Sequence, residues 1–485
     1  MSTSFVEVIA RHASQAPLAP AVSDPDAAWN HRELWERSRE IGSALAKRGI
    51  GPGDLVATAL PPGVAHLSVL IGIMATGAAA APVNLKLAPD ERETYLGALR
   101  PTLVVTGSAT DAGGSPTCSE SDLVGAPAGT WTHVPTEPTA PAFVVGTGGT
   151  TGTPKGAVWT SGGLAEYLAS SALVLEARRT DVELYFASFF HIALATCAMS
   201  TLYAGGSVTF EPRFDAGRAV EKIHRGEVTR LFGPPTALDR IIGHPDLDLT
   251  RTGSVRSVLF GSTSSEPDLP DRLRAAFPGA TLVTGYGATE FGAVTRLRSW
   301  ESPDGLDGVG WPVPGAALEI VDEHGRPVPD GEVGEVVVRA PWQMAGYLVD
   351  GRLEPVADGA IRSGDLAVRE ADGRIRLRGR LKELVITGGE NVFPVEVERV
   401  LCDHPAVATA AVVGVADPEW GERVEAMVVL RAPASAQVVD ELVRHCRERL
   451  VGYKVPKRVV VGTELPLTTA MKVDKRAVKE WLGEH

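Results

Sequence analysis

The early part of the chain alternates segments of helical period with short apolar strands, an order that few folds accommodate. "HRELWERSREIGSALAKRGI" places Leu34, Ile41 and Leu45 on one helical stripe, and Gly49 with the following "GPGD" ends it. "DLVATAL" reads as a strand, residues 68–80 as a helix, and "PTLVVTG" at 101–107 as a short buried strand. This order predicts βαβ units and a largely parallel sheet. Residues 68–83, "SVLIGIMATGAAAAPV", carry no charge, but the run falls short of the roughly 20 residues a bilayer requires and is interrupted by Gly72, Gly77 and Pro82. It reads as a buried helix, so no membrane span is expected.

The texture changes from about Ala316. "ALEIVDEHGRPVPDGEVGEVVVRA" has strands separated by turn signals at His324-Gly325 and Asp330-Gly331, and "ADGRIRLRGR" has another at Asp372-Gly373, which predicts an antiparallel, barrel-like part. After "GRLKELVITGGENVFPVEVERVL" the chain reads as a small α+β unit. An amphipathic helix starts at about Pro394, strands follow at "TAAVVGVAD" and "VEAMVVLRA", then a helix near 438–450 and a final helix ending at Trp481. A chain of 485 residues is too long for one ordinary core. The expected fold is therefore α/β: a large N-terminal domain, 1–382, of packed α/β subdomains plus a β-barrel, and a small mobile α+β C-terminal domain, 383–485. The Gly/Ser/Pro-rich run at 106–141 reads as a surface excursion.

Charge excludes some partners. A net charge of −13 with no basic tract argues against nucleic acid and anionic membranes, so any polyanion must be held by a local site. Cys118, Cys197, Cys402 and Cys446 are scattered with no C-x-x-C pair, which fits reduced thiols rather than a disulfide frame or zinc site. The N-terminal sequence has no basic region followed by an apolar one, so a cytoplasmic protein is expected.

One stretch is suited to phosphate. In "VVGTGGTTGTPKGAV" (144–158) glycines after a strand-like run let backbone N–H groups converge, threonine hydroxyls add donors, and Lys155 supplies a compact positive charge. It is not a Walker loop, because Lys155 stands between Pro154 and Gly156, and no G-x-G-x-x-G leads into a helix. In "GYGATE" (285–290), Tyr286 offers a flat ring for a base, Thr289 a hydroxyl for a phosphate oxygen, and Glu290 a hard carboxylate for Mg²⁺.

"TGGTTGTPKG" (147–156) resembles the phosphate loop of the adenylate-forming superfamily, which includes acyl- and aryl-CoA ligases. "GYGATE", "SGDLA" (363–367), "GRLKELVITGGENVFPVEVE" (379–398), "YKVP" (453–456) and "PLTTAMKVDK" (466–475) follow in that superfamily's order, so the resemblance spans nearly the whole chain. It implies a nucleotide site drawing on Thr147, Gly148, Gly149, Thr150, Thr151, Gly152 and Lys155, with Ser262, Tyr286, Gly287, Ala288 and Thr289, and with Glu290 on the metal. It further implies that Asp365 and Arg380 contact the ribose, that Lys382 is the hinge of the C-terminal domain, and that Gly389 lines the path of a pantetheine arm. Lys472 matches the lysine that bridges the acid's carboxylate and the α-phosphate, although Met471 replaces the usual glycine and Leu467 a usual basic residue. For the acid itself the resemblance points to Phe190 and His191 as a gate with Phe189, and to Gly261, Ser262, Gly285 and Phe291. The absence of an aspartate at His191 argues against an α-amino acid, and Ser262 to Ser265 make one wall unusually polar.

The activity implied is conversion of a carboxylic acid and Mg-ATP to an acyl-adenylate and pyrophosphate, followed by transfer to coenzyme A. A carrier-protein thiol, an amine or another small nucleophile is the alternative acceptor, and a non-catalytic nucleotide-binding regulator the second alternative. The retained Lys155, Glu290, Asp365, Arg380 and Lys472 speak against the regulator. The oligomeric state, monomer or homodimer, stays open.

Overall fold

The computed structural model describes residues 4–107, 115–125, 127–147, 154–261, 268–302, 305–306, 308–432, 437–467 and 473–484. Two compact units make up the chain: residues 1–318 with 338–361, and residues 319–337 with 362–485.

The first unit holds two large sheets. In the eight-stranded sheet, Leu55–Ala59 lies parallel to Ala79–Pro82 on one side and to Leu103–Thr106 on the other. The expected βαβ order is borne out, with one shift. The uncharged run at 68–83 contains the end of the helix Val64–Ala75 and, after a turn at Gly77, the strand Ala79–Pro82. Nearly every side chain of that helix is buried, so no polar stripe marks where it begins or ends. The helix His31–Lys47 forms as its stripe requires: Leu34, Ile41 and Leu45 are buried, Asn30 and Glu33 cap its start reciprocally, and Gly49 follows its end at φ +85°.

The run at 106–141 is more than a surface excursion. Thr117–Ser119 adds a parallel strand to the sheet edge, Leu123 is buried in the core, and the Trp131 ring fills the space a Cβ on Gly42 would occupy. Beyond Ala79–Pro82, the same sheet continues with Pro141–Thr147, its antiparallel partner Lys155–Thr160, and the hairpin Gly346–Val349/Arg352–Pro355. The antiparallel strands after 316 are thus divided, one hairpin extending this sheet and the rest forming another.

The nine-stranded sheet is parallel through its middle, in the order Pro20–Ser23, Ser207–Phe210, Val182–Tyr185, Arg230–Gly233, Ser257–Phe260, Thr281–Thr284. Loops leaving the carboxyl ends of such strands are where open α/β sheets bind ligands. Gly261 and Gly285 stand at two of those ends.

The second unit contains most of the four-stranded sheet Ala317–Val321, Val333–Arg339, Ile361–Arg369, Ile375–Arg380, and a five-stranded sheet built on the long hairpin Val407–Asp417/Gly421–Leu430. The helices Pro394–Cys402 and Val438–Arg447 bury Val397, Leu401, Leu442 and Cys446 in its core. Among the described residues no helix is long and apolar enough to cross a membrane.

Candidate active site

In the first unit the phosphate-loop candidate sits on a hairpin. Thr147 ends one strand, Lys155 begins the next, the two are paired in register, and the Thr147 hydroxyl donates to the Lys155 carbonyl at 3.3 Å. The chain therefore returns as a strand where a Walker loop would enter a helix. Gly148, Gly149, Thr150, Thr151 and Gly152 lie outside the described residues, as does Ser262.

Pairing of Lys155–Thr160 with Gly346–Val349 sets Tyr347 opposite Ala157. The Lys155 ammonium lies 5.4 Å from the centre of the Tyr347 ring, and the Tyr347 hydroxyl donates to Glu290 Oε1 at 2.7 Å. One tyrosine thus connects the lysine and the carboxylate that sequence reasoning had singled out separately. Burial, and then the adjacent Glu290 charge, raise the Tyr347 pKa, which keeps the phenol protonated as a donor. Sequence reasoning missed Tyr347, since its role depends on a strand pairing between distant segments.

Glu290 is carried by a tight hairpin, Gly287–Ala288 against Gly292–Ala293. Its turn is fixed from outside: the Trp159 indole donates to the Thr289 carbonyl at 3.1 Å, the Met344 amide to the Glu290 carbonyl at 2.8 Å, and the Trp342 indole to the Phe291 carbonyl at 3.0 Å. Each such bond contributes about 1 kcal/mol net, and together they hold the carboxylate's backbone in one place. A Cβ on Gly287 would overlap the Gly292 carbonyl, and one on Gly285 the Thr295 carbonyl, so close backbone approach demands glycine at both. Tyr286 and Phe291 are buried, with ring centres 5.7 Å apart. With one oxygen of Glu290 oriented by Tyr347, the carboxylate retains lone pairs for a hard cation. Among the described residues no three His, Cys, Asp or Glu side chains converge as a metal cage. A single carboxylate suits Mg²⁺, which keeps waters and takes phosphate oxygens for its other ligands.

Phe190 and His191 are half-buried, and His191 Nδ1 accepts the Ala193 amide at 3.2 Å. Phe189, read from sequence as part of a gate with them, is instead a core residue, 2% exposed and packed on His66 and Phe210.

In the second unit Asp365 and Arg380 are register partners on adjacent antiparallel strands and form an ion pair, Arg380 Nε to Asp365 Oδ1, at 3.0 Å. Lys382 lies in the exposed 3₁₀ turn Leu381–Glu383 between the strands Ile375–Arg380 and Val385–Thr387. Gly389 turns at φ +85° with open space where a Cβ would stand, whereas a Cβ on neighbouring Gly388 would meet the Trp420 ring. Lys472 lies outside the described residues. Its flanks are pinned: Leu467 and Val473 form an antiparallel bridge, and the Asp474 amide donates to the Pro466 carbonyl at 2.8 Å. Lys475, which sequence reasoning passed over, pairs at 2.8 Å with both Glu383 and Glu398. Burial opposes its charge, but Glu398 and Glu383 outweigh burial and hold its pKa above the ordinary lysine value. Lys475 is thereby tied to Glu383, the residue that follows Lys382. Lys475→Met removes the cation shared by both carboxylates, leaving Glu398 with the Val412 amide as its donor, and should lower stability by about 1–3 kcal/mol, read as a lower urea midpoint.

Two family models match the chain: AMP-binding enzyme over residues 9–348, and AMP-binding enzyme C-terminal domain over residues 396–472. The chain is 34% identical over 490 residues to a feruloyl-CoA synthase of Amycolatopsis sp, covering 98% of each. Among solved structures it resembles o-succinylbenzoate CoA synthetase from Bacillus subtilis in complex with an acyl-adenylate intermediate, with TM-score 0.86, 28% identity and 97% of each chain covered. It also resembles an amide bond synthetase from Marinactinospora thermotolerans, with TM-score 0.89, 28% identity and 99% of each chain covered.

Proposed function

Since the chain belongs to the AMP-binding enzyme family, we propose that it is an AMP-forming acid–thiol ligase whose substrates are a small carboxylic acid, ATP with Mg²⁺, and coenzyme A. The acid's carboxylate oxygen bonds to the α-phosphorus of ATP and pyrophosphate leaves. The thiol sulfur then bonds to the acyl carbon, AMP leaves, and the thiol proton passes to solvent.

The observation that carries this reading is the Lys155–Tyr347–Glu290 chain, which starts at the lysine that closes the glycine-threonine run in sequence. Lys155 and the loop residues Thr147 to Gly152 bind the outer phosphates, and Glu290 holds Mg²⁺, which offsets phosphate charge. Tyr286, Gly287, Ala288 and Thr289 bind the adenylate portion, while Asp365 and Arg380 take the ribose. Their ion pair pre-forms the site but must open or shift for both to reach the sugar. Lys472 bridges carboxylate and α-phosphate, where like charges would otherwise repel. Phe190, His191, Gly261, Ser262, Gly285 and Phe291 border the acid. Lys382 is the hinge between 1–382 and 383–485, and Gly389 lets the thiol's thin arm pass. We assign the enzyme to the cytoplasm, where both nucleotide cosubstrates are held.

Acid-dependent exchange of labelled pyrophosphate into ATP tests the first step. The reading requires exchange only with an acid present, and exchange lost in Lys155→Ala. Tyr347→Phe keeps the ring over Lys155 but releases Glu290. It should raise the Mg²⁺ concentration for half-maximal exchange about threefold to tenfold, the worth of one hydrogen bond.

A second acceptor is favoured by a specific observation: one structural relative makes amide bonds. Met471 beside Lys472 and the Ser/Thr run at 262–265 point the same way. An amine or a carrier-protein thiol in place of coenzyme A leaves the adenylation half unchanged, so product analysis with each acceptor separates these readings.

A further inference from the structure

The hairpin that carries Glu290 is a two-stranded sheet of its own, so side chains from other elements set its place. Donors to the carbonyls of Thr289, Glu290 and Phe291 hold its turn. The strand that returns from the turn is tied differently, to a helix: the Ala293 amide donates to the Tyr167 hydroxyl at 2.9 Å. Tyr167 lies on the helix Ser161–Val174 and is 1% exposed.

The phenol is itself held. Its ring packs against Trp159 and Trp342, with centres 5.1 and 6.2 Å away, so the two indoles that pin the turn also pin Tyr167. Gly292 stands at φ +62°, and a Cβ there would fall 2.5 Å from the Tyr167 ring. The returning strand therefore rests on the phenol with no side chain between them. The Tyr167 hydroxyl is also 2.6 Å from Thr196 Oγ1. Whichever of these two hydroxyls donates, the Ala293 amide needs only a lone pair of the phenol oxygen. Lys155 and Trp159, four residues apart, share one face of the strand Lys155–Thr160. The strand that supplies the phosphate cation thus supplies one anchor of the hairpin, and Tyr167 supplies the anchor at its other end.

We infer that Tyr167 is a positioning residue for metal binding: through the Ala293 amide and the bare face of Gly292 it holds the hairpin where the Glu290 carboxylate reaches a phosphate-bound cation. The inference rests on the assignment of Glu290 to Mg²⁺ above. Tyr167 acts through Glu290 and touches neither metal nor nucleotide.

Tyr167→Phe keeps the ring under Gly292 and removes only the acceptor. The test is calorimetric titration of the full chain with Mn²⁺-ATP and, separately, with metal-free ATP. Tyr167→Phe should weaken Mn²⁺-ATP about threefold to tenfold, the worth of one hydrogen bond, and leave metal-free ATP within about twofold of wild type. In the Glu290→Gln background it should weaken Mn²⁺-ATP no further, since the carboxylate it positions is gone. Unchanged affinities, equal weakening of both ligands, or the same loss with and without Glu290 would reduce Tyr167 to a support of the fold and overturn the assignment. If Glu290→Gln alone binds Mn²⁺-ATP as wild type does, the metal reading of Glu290 fails first and this assignment falls with it.

Discussion

Lys472→Ala is expected to lower acid-dependent pyrophosphate release on the order of 10²–10³-fold, the loss seen when a preorganised charge is removed from a reaction that develops anionic charge. Thioester formation from a supplied acyl-adenylate should stay within about threefold of wild type, because no carboxylate then attacks a phosphate and the bridging cation has nothing left to offset. The split between the half-reactions is the informative part. A residue that merely supported the fold would depress both, and equal losses in both would remove Lys472 from the role assigned to it. The bridge at Leu467 and Val473 and the Lys475 pairs with Glu383 and Glu398 lie outside the altered residue, so the surrounding segment should keep its place.

Lys382→Pro should give the mirror image. Lys382 is exposed in a 3₁₀ turn between two strands, so its side chain can be lost without opening a core. Proline fixes φ near −65° and restricts the residue before it, which removes the backbone freedom a hinge requires. If the C-terminal domain must rotate about this residue to present the thiol, thioester formation should fall roughly hundredfold, the scale of loss for a misplaced reactant, while pyrophosphate release changes little. Coupled enzyme assays of pyrophosphate and of free thiol measure the two halves on one preparation. A hundredfold loss in acid-dependent pyrophosphate release, with thiol consumption from a supplied acyl-adenylate unchanged, would place the pivot elsewhere.

Local features of the fold were legible where the sequence carried contrast. The helix His31–Lys47 announced itself by a buried stripe, a capping pair and a terminal glycine, all within one segment. The run at 68–83 carried no contrast, since burial on all sides erases the period that separates helix from strand, and its division at Gly77 appeared only in three dimensions. Composition also misled at 106–141, where Leu123 and Trp131 anchor an otherwise loop-like stretch to the core.

The candidate site divides the same way. Lys155, Glu290, Asp365 and Arg380 stand in short motifs and were found one by one. Their relations were not: the Asp365–Arg380 ion pair follows from strand register, and the Tyr347 link between Lys155 and Glu290 follows from a strand that returns to pair with Lys155–Thr160. Lys475 closes the run at 466–475, but nothing in that run gives it a role: it matters through partners distant in sequence, Glu383 and Glu398.

The central claim is that this chain activates an acid as its adenylate and passes it to a thiol. Mass spectrometry of the purified protein with Mg-ATP and a pool of aryl, short-chain and medium-chain acids, with and without coenzyme A, tests it most directly. The account predicts an acyl-adenylate and pyrophosphate without coenzyme A, and a coenzyme A thioester with a matching amount of AMP when it is added. ATP bound but unconsumed, with no acid-dependent AMP under either condition, would contradict it.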